Sequence, residues 1–437
     1  MIEVFEQYGF YEERRAIIID NQKHIDILRT KSFHERQVQR KGQKHICYRF
    51  DCVDDGETIK FNFQSSYFIG IDWIVERELP IYIQPKLNSP YKEIDYIGML
   101  LAALQEPENL KHLEDLIHID FHKPYILITQ KQDILSPFLI AQFLQVLKKI
   151  VQKGLKKSYY QVTENLNARI RGKVLVSSNI KRNMTKGRLT HSVCQFQEYG
   201  VNCEENKILK KAYLFSRRVI QQYKGFDTQF LSYILDYVHP AFEFVSDDVD
   251  IVKIKNFKSN PLFKEYDQAI KLALIILKRF SYNITQTEQR EISTPPFWID
   301  MSKLFELYVF KKLKEAFPER DEVTYHYTVQ GKELDFLINS PQKGVQMVID
   351  TKYKPRYYNG SVDLEDYRQI SGYARLKSVY EKLETDYRQN IDCLIIYPNQ
   401  TGEHLEKIDL AQKESLPNYV QFYKLGVRLR EINKSKE

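Results

Sequence analysis

The chain has 437 residues, too many for one ordinary core, so two or three domains are expected. Hydrophobic residues make up 43% and charged residues 28%, and with 30 Tyr and 25 Phe this composition excludes a largely disordered chain. The net charge of +7 fits both a weakly basic cytosolic protein and one with basic patches that contact nucleic-acid phosphates, so charge excludes neither class.

Several other protein classes are disfavoured by what the sequence lacks. The five cysteines are odd in number and form no CxxC pair, so neither a disulfide framework nor a zinc site is expected. The N-terminus has acids where a signal peptide has bases, and no apolar run reaches the roughly 18 residues that span a bilayer. No GxxxxGK[ST] loop occurs, so we expect no GTP binding by this chain itself. These features predict a cytoplasmic protein without membrane segments.

The first 90 residues predict a β-rich module. Short runs of β-branched and aromatic residues alternate with polar or Gly-containing turns, which is more typical of a small barrel or sandwich than of βαβ units. The runs are AIIID (16–20), HICYRF (45–50), TIKFNF (58–63), YFIGIDWIV (67–75) and LPIYIQPKL (79–87).

The middle of the chain, residues 91–290, predicts a mixed helical and β region. Apolar residues at three- and four-residue steps favour helices over 93–104 and 136–155, the second with Ser136 as N-cap and Pro137 in the first turn. Residues 158–204 have the alternation of extended chain, including RIRGKVLVSSNI. Further helices are predicted over 206–222 and 262–282.

Residues 291–437 predict a separate α/β domain. A helix over 301–316 precedes three strands, VTYHYTV, ELDFLIN and VQMVIDTKY, and a long helix over 363–384 precedes the strands DCLIIYP and YVQFYKL. This order indicates a mixed sheet flanked by helices. The fold class predicted for the whole chain is therefore α+β and multidomain.

Two strands of that domain carry a set of charged residues. Asp335 lies within the apolar ELDFLI, and Asp350 and Lys352 lie within VIDTKYK. Alternation along a strand points Asp350 and Lys352 to one face, and an apolar strand buries such groups only if they are paired or used. Two carboxylates can hold Mg2+, and a lysine beside them can orient or deprotonate a water that attacks a phosphodiester. Alone, a D-x-K triplet is more often an ordinary surface pair.

Helices on either side of these strands add further candidates. Glu306 lies beside the apolar stripe of the 301–316 helix and can reach a metal from its edge, although a solvated acid is an equal alternative. Gln369 and Tyr373 share one helix face because they are four residues apart. Taken alone, that pair is better explained as a half-exposed helix face.

The set Glu306, Asp335, Asp350 and Lys352 resembles the PD-(D/E)xK nuclease superfamily, and Gln369-x-x-x-Tyr373 resembles its QxxxY extension. One departure is that no proline precedes Asp335. Glu333-Leu334 stands there, so Glu333 is an alternative or auxiliary acid.

More narrowly, the chain resembles the McrC family of nuclease subunits. The similarity covers most of the chain. Its most specific part is the combination of the helix segment IDMSKLFELYV with the strand motifs LDF and DTKYK. The matching segments are IQPKL (83–87), RIRGKV (169–174), Cys194, ENKILKKA (205–212) and IDMSKLFELYV (299–309).

This resemblance implies a partner and a reaction. The partner is a hexameric AAA+ GTPase of the McrB type that reads methylated cytosine, and the first 150 or so residues are expected to dock on it. The expected activity is Mg2+-dependent endonuclease cleavage of double-stranded DNA within a restriction system. Asp335, Asp350 and the Thr351 carbonyl are the expected ligands, Lys352 positions the water, and Glu306 is an auxiliary ligand or water orienter.

Three residues are candidates for contacts with the DNA backbone: Arg169, Arg171 and Lys354. A turn with solvated arginines is the alternative at 169–172. Two other functions stay open, a stand-alone repair or recombination nuclease with the same core and a non-catalytic activator of the partner motor. The intact acid, acid and lysine set argues against the second.

Overall fold

The computed structural model describes most of the chain. The described residues are 1–7, 21–31, 33–40, 42–54, 59–88, 92–106, 108–109, 112, 116–120, 122–129, 135–222, 229–249, 264–284, 291–329, 331–358, 362–400 and 407–433. The predicted strand over 16–20 falls outside them. They form two compact units, one made of 1–134 with 293–437 and the other of 135–292. The domain boundaries predicted near residues 90 and 290 stay a prediction.

The first unit begins with a β-rich part. Its elements are β1 (Ile2–Phe5), α1 (Gln22–Thr30), β2 (Phe33–Arg40), β3 (Gln43–Asp54), β4 (Ile59–Ser65), β5 (Phe68–Val75), β6 (Leu79–Gln84), β7 (Lys92–Ile94), α2 (Tyr96–Leu104), β8 (Ile117–Ile119) and β9 (Ile126–Thr129). Strands β2, β3 and β4 form an antiparallel sheet. Its buried face shares one apolar core with β1, β5 and β6, so the described part is sandwich-like.

The second unit combines helices with a small sheet. Its elements are α3 (Leu135–Lys153), β10 (Ser158–Asn167), β11 (Lys173–Val174), α4 (Val176–Arg182), β12 (His191–Gly200), α5 (Glu204–Gln222), α6 (Gln229–Val238) and α7 (Lys264–Ile284). Strands β10 and β12 pair along their whole length, as the alternating sequence predicts. Two details of the prediction were wrong: α3 begins before Ser136, and Val176–Arg182 is helical rather than extended.

The C-terminal part of the chain, which follows β13 (Glu291–Thr294), belongs to the first unit. Its elements are β14 (Phe297–Asp300), α8 (Met301–Ala316), β15 (Val323–Val329), β16 (Lys332–Ser340), β17 (Val345–Thr351), α9 (Leu364–Tyr373), α10 (Lys377–Leu383), β18 (Asp392–Pro398), β19 (Glu414–Ser415), β20 (Phe422–Val427) and β21 (Glu431–Asn433). A six-stranded sheet in the order β15-β16-β17-β18-β20-β19 is antiparallel on one side and parallel in its centre, which confirms the predicted mixed sheet.

The single helix predicted over 363–384 is wrong, since α9 and α10 are separate. Gly372 weakens the helix near its end, and Leu376 adopts an extended backbone before α10. The turn allows Val379 and Leu383 to enter the same buried core as Ile370.

Strand β14 joins the C-terminal part to the N-terminal one. It lies in the centre of a five-stranded sheet in the order β1-β6-β5-β14-β8, where Trp298 is 1% exposed. Asp300 ends the strand and caps α8 by accepting a hydrogen bond from the Lys303 backbone N–H at 2.9 Å. The N-terminal sheet therefore fixes where the helix that carries Glu306 begins. Within the described residues, no helix is long and apolar enough to cross a membrane.

Candidate active site

Asp335 and Asp350 occupy opposed positions on neighbouring strands. Strands β16 and β17 are antiparallel with Phe336 opposite Ile349, and the same register places Asp335 opposite Asp350. Opposed residues of an antiparallel pair point to the same face. The structure thus brings together the two acids that the sequence singled out.

Asp335 is held by the strand across from it. The Thr351 backbone N–H donates to Asp335 Oδ2 at 2.7 Å, and the Thr351 hydroxyl donates to the same oxygen at 2.6 Å. Burial raises the pKa of Asp335 well above its usual value, and the charges of Asp350 and Glu306 raise it further. Sequence reasoning gave Thr351 a carbonyl role only and missed this orienting one.

Lys352 is the cation closest to Asp350. Its Nζ lies 2.7 Å from Asp350 Oδ2 and 3.8 Å from Asp366 Oδ1. Burial raises the pKa of Asp350, although Lys352 partly counters this. Burial would lower the pKa of Lys352, but Asp350 and then Asp335 raise it above its usual value, so the amine is held as an ammonium.

The donor set fits a hard divalent cation. Two opposed carboxylates, Asp350 buried and Asp335 half-buried, repel each other, and a divalent ion between them would offset this repulsion while accepting oxygen ligands. No group of three or more His, Cys, Asp or Glu side chains placed to hold a metal ion occurs among the residues described. A site here would therefore need water or backbone oxygens as further ligands, and the Thr351 carbonyl stays a predicted one.

One carboxylate oxygen of Glu306 contacts three polar side chains, of which Lys303 and Tyr325 donate hydrogen bonds to it. Lys303 Nζ, the Tyr325 hydroxyl and His326 Nε2 lie 3.1, 2.6 and 2.5 Å from Glu306 Oε1. Burial alone would raise the pKa of Glu306, but Lys303, His326 and Tyr325 together lower it, so the group stays ionised. Its negative charge also contributes to raising the pKa of Asp335 and of Asp350.

His326 is a candidate that the sequence did not reveal. It has a φ of 53° inside β15, a left-handed conformation that costs a non-glycine residue free energy. The pairs on either side of it, Tyr325 with Phe336 and Tyr327 with Leu334, set it across from Asp335. Its Nδ1 lies 2.7 Å from Glu333 Oε1, so the ring bridges Glu333 and Glu306. A lone histidine in VTYHYTV carries no signal of these contacts, because Glu306 is 20 residues away and Glu333 lies on the neighbouring strand β16.

Helix α9 ties the QxxxY pair to the site. Lys352 Nζ donates to Gln369 Oε1 at 2.9 Å, and Gln369 Nε2 donates to the Tyr373 hydroxyl at 3.2 Å. The two residues thus lie on one face, as predicted, and Gln369 orients the lysine. The same helix supplies Asp366, 6% exposed, which sequence analysis missed.

Lys354 lies in a half-buried ionic cluster. Its Nζ is 2.8 Å from Asp363 Oδ2, 2.7 Å from Asp366 Oδ2 and 3.2 Å from the Tyr357 hydroxyl. These contacts give it a role in holding the segment after β17 to α9. A contact with the DNA backbone stays a prediction.

The other two DNA candidates lie in the second unit on an exposed segment. Residues 165–197 contain seven Lys and Arg and no Asp or Glu, so the net charge of this segment is as large as that of the whole chain. Arg169 is exposed, while Arg171 pairs with Glu198 at 2.8 Å and lies 4.1 Å from the centre of the Phe196 ring. Asn206 of the ENKILKKA segment is buried and bonds the carbonyls of Lys156 and Val201, which is a packing role.

Comparison with known proteins gives a family match. A family model described as a McrBC 5-methylcytosine restriction system component matches residues 75–398, about three quarters of the chain. No curated protein gives a significant match.

Two solved structures resemble the chain at low similarity. One is described as a refined half-complex from the tetradecameric assembly of Thermococcus gammatolerans McrB AAA+ hexamers with bound McrC. It is 15% identical with a TM-score of 0.35, over 86% of this chain and 80% of that chain. The other is the cryo-EM structure of the Thermococcus gammatolerans McrBC complex. It is 15% identical with a TM-score of 0.28, over 74% of this chain and 89% of that chain.

Proposed function

Since the chain belongs to the McrBC family of 5-methylcytosine restriction system components, we propose that it is the McrC-type nuclease subunit of such a system. In this proposal it hydrolyses phosphodiesters of double-stranded DNA with Mg2+ in a PD-(D/E)xK core made of α8, β15 to β18 and α9. The observation that carries the proposal is the opposition of Asp335 and Asp350, with the Lys352 ammonium 2.7 Å from Asp350.

Each residue of the site has its own role in this proposal. Asp335 and Asp350 would hold Mg2+, with the Thr351 carbonyl as a further ligand and Glu306 as an auxiliary acid. When bound, the ion supplies charge neutralisation at the phosphate and a more acidic water. The Lys352 ammonium offsets negative charge on the phosphate and orients the attacking water, and Gln369 keeps that ammonium in place. Tyr373 fixes the Gln369 amide, and Glu333 acts through His326.

The partner is proposed from the family. A hexameric AAA+ GTPase of the McrB type would read methylated cytosine and translocate DNA, while this chain, whose sequence has no phosphate-binding loop, would stimulate it and cut. We propose that the docking surface lies within the first 150 or so residues, of which the first 90 are β-rich.

The test is reconstitution with an AAA+ GTPase of the McrB type from the same organism. The two proteins are co-purified and given methylated or unmethylated DNA with GTP and Mg2+, using wild type and Lys352→Ala. We expect cutting of methylated DNA by wild type only, with GTP hydrolysis stimulated by both.

Other outcomes would overturn the proposal in distinct ways. Cutting of unmethylated DNA without GTPase would indicate a stand-alone nuclease. Stimulation of GTP hydrolysis without cutting by wild type would indicate a non-catalytic activator.

A further inference from the structure

The IQPKL segment lies at the end of a strand, far in sequence from the candidate site. Strand β6 ends at Gln84, and Lys86 follows in the turn after it. Strand β1 runs parallel to β6, so Glu6 and Gln7, which follow β1, end beside the same turn. Glu6 is 2% exposed, and its Oε1 accepts a hydrogen bond from the Lys86 backbone N–H at 3.1 Å.

The Lys86 side chain reaches the chain directly after Lys352. Its Nζ donates to the Tyr353 backbone carbonyl and to the Gln7 side-chain oxygen. The same ammonium lies 4.0 Å from the centre of the Tyr353 ring, a cation–π contact. The two regions are 267 residues apart in sequence, so no local pattern predicts this contact.

Tyr353 stands at the tip of a tight turn between two lysines of the site region. The Lys354 N–H donates to the Lys352 carbonyl at 2.7 Å, which closes the turn around Tyr353. The Tyr353 side chain is 4% exposed and packs on Phe305 of α8 at a ring distance of 5.7 Å. Because β17 has ended at Thr351, the Tyr353 carbonyl needs a donor from outside the sheet, and Lys86 supplies one.

This turn sets the direction of two ammonium groups. Lys352 faces Asp350 and Gln369, while Lys354 faces Asp363 and Asp366. A shift of the Tyr353 carbonyl would rotate the Tyr353–Lys354 peptide, whose N–H closes the turn on the Lys352 carbonyl. The contact therefore acts on the geometry of the site without touching the carboxylates.

We propose that Lys86 is a positioning residue of the nuclease centre, which holds the Tyr353 carbonyl and thereby fixes the turn that aims Lys352. The inference rests on the proposed function for its catalytic consequence. The structural claim does not depend on that function: Lys86 links the end of the N-terminal sheet to the segment after β17.

A matched control is available in Lys31. Its Nζ also donates to a backbone carbonyl of the first unit, that of Ile74 at 2.8 Å, but this carbonyl belongs to β5. The variants are Lys86→Met, Lys86→Arg and Lys31→Met. Methionine keeps most of the apolar stem and removes the charge, whereas arginine keeps the charge.

The first measurement is amide hydrogen exchange in the absence of Mg2+ and DNA, followed in a peptide covering residues 350–358. We expect exchange of this peptide to be at least about 10-fold faster in Lys86→Met than in wild type, and unchanged in Lys31→Met. Lys86→Arg should restore protection. If exchange of this peptide is unchanged in Lys86→Met, Lys86 does not fix the turn at Tyr353. This outcome would overturn the inference whether or not the wild type cleaves DNA.

The second measurement is single-turnover cleavage with the partner GTPase over a range of Mg2+ concentrations. We expect Lys86→Met to cut roughly 10- to 100-fold more slowly, with a raised half-saturating Mg2+ concentration and unchanged affinity for DNA. Lys86→Arg should recover most of the rate. Cleavage by Lys86→Met at the wild-type rate, or a slower rate with unchanged Mg2+ dependence, would overturn the inference. Failure of wild type to cut would instead overturn the proposed function.

Discussion

The two charged regions of this molecule use their charges in opposite ways. In the candidate site of the first unit, the acids and lysines are buried or nearly so, and each is held by named partners. In residues 165–197 of the second unit, basic side chains such as Arg169, Lys181 and Arg188 are exposed. Buried charges are expensive and depend on geometry, whereas solvated charges act together through a screened field. Substitutions should therefore be severe and salt-independent in the first region, and mild and salt-dependent in the second.

The largest effect should come from Asp350→Asn. Removing one of two opposed carboxylates relieves repulsion, so the melting temperature should be unchanged or higher, while cleavage should fall at least roughly 1000-fold because the proposed cation site loses a ligand. Thermal unfolding and single-turnover cleavage measure the two quantities. A large drop in melting temperature would mean that Asp350 serves the fold and would break the comparison.

The next effect tests the strained residue. His326→Gly removes the side chain that holds Glu306 but suits the φ of 53°, so we expect cleavage to fall roughly 10- to 100-fold without loss of fold. His326→Asn, which also tolerates this conformation, should recover part of the rate. Asp321→Gly is the matched control, since Asp321 has a φ of 64° and an exposed side chain. If His326→Gly cleaves DNA at the wild-type rate, the His326 side chain has no role in cleavage, and its left-handed conformation is only a feature of strand β15.

The exposed region should give a smaller effect. In the double variant Arg169→Gln and Arg171→Gln, we expect the affinity for DNA to fall by about 10-fold or less. We also expect the negative slope of log affinity against log salt to become less steep, by about one for each phosphate that an arginine had neutralised. Binding titrations at several salt concentrations measure this slope. An unchanged slope together with reduced stimulation of GTP hydrolysis would place the partner, and not DNA, on these arginines.

The smallest effect concerns pH. Burial raises the pKa of Glu6 from 4.5 to about 7, so the folded protein binds its proton more tightly than the unfolded chain does. The stability contributed by this protonation is present below pH 4.5 and is lost as the pH rises to about 7. The melting temperature of wild type minus that of Glu6→Gln should therefore fall by roughly a few degrees as the pH rises across this window. Glu164→Gln, at an exposed acid of β10, is the control and should show no such trend.

Local patterns predicted much of the site. Alternation predicted β16 and β17, helical periodicity predicted α8, and four-residue spacing predicted the shared face of Gln369 and Tyr373. Each of these depends on residues close in sequence. The opposition of Asp335 to Asp350 followed from two strands joined by a short connection.

The rest depends on contacts between distant segments. The Glu306–His326 pair, the reach of Lys86 and the place of β14 among N-terminal strands leave no periodic trace. Helix α4 was missed because VLVSSNI has β-branched residues that favour strands, and its described residues form a short helix without a buried side chain. Such features are decided by tertiary packing.

The position of β14 has a consequence for how this chain can be divided. The strand leads into α8 while its own neighbours, β5 and β8, come from the first 120 residues. A fragment of residues 291–437 would leave Phe297, Trp298 and Ile299 without the strands that cover them. The part of the chain that carries the candidate site therefore depends on strands from the N-terminal part, and a shortened form of the protein should keep both parts of the first unit.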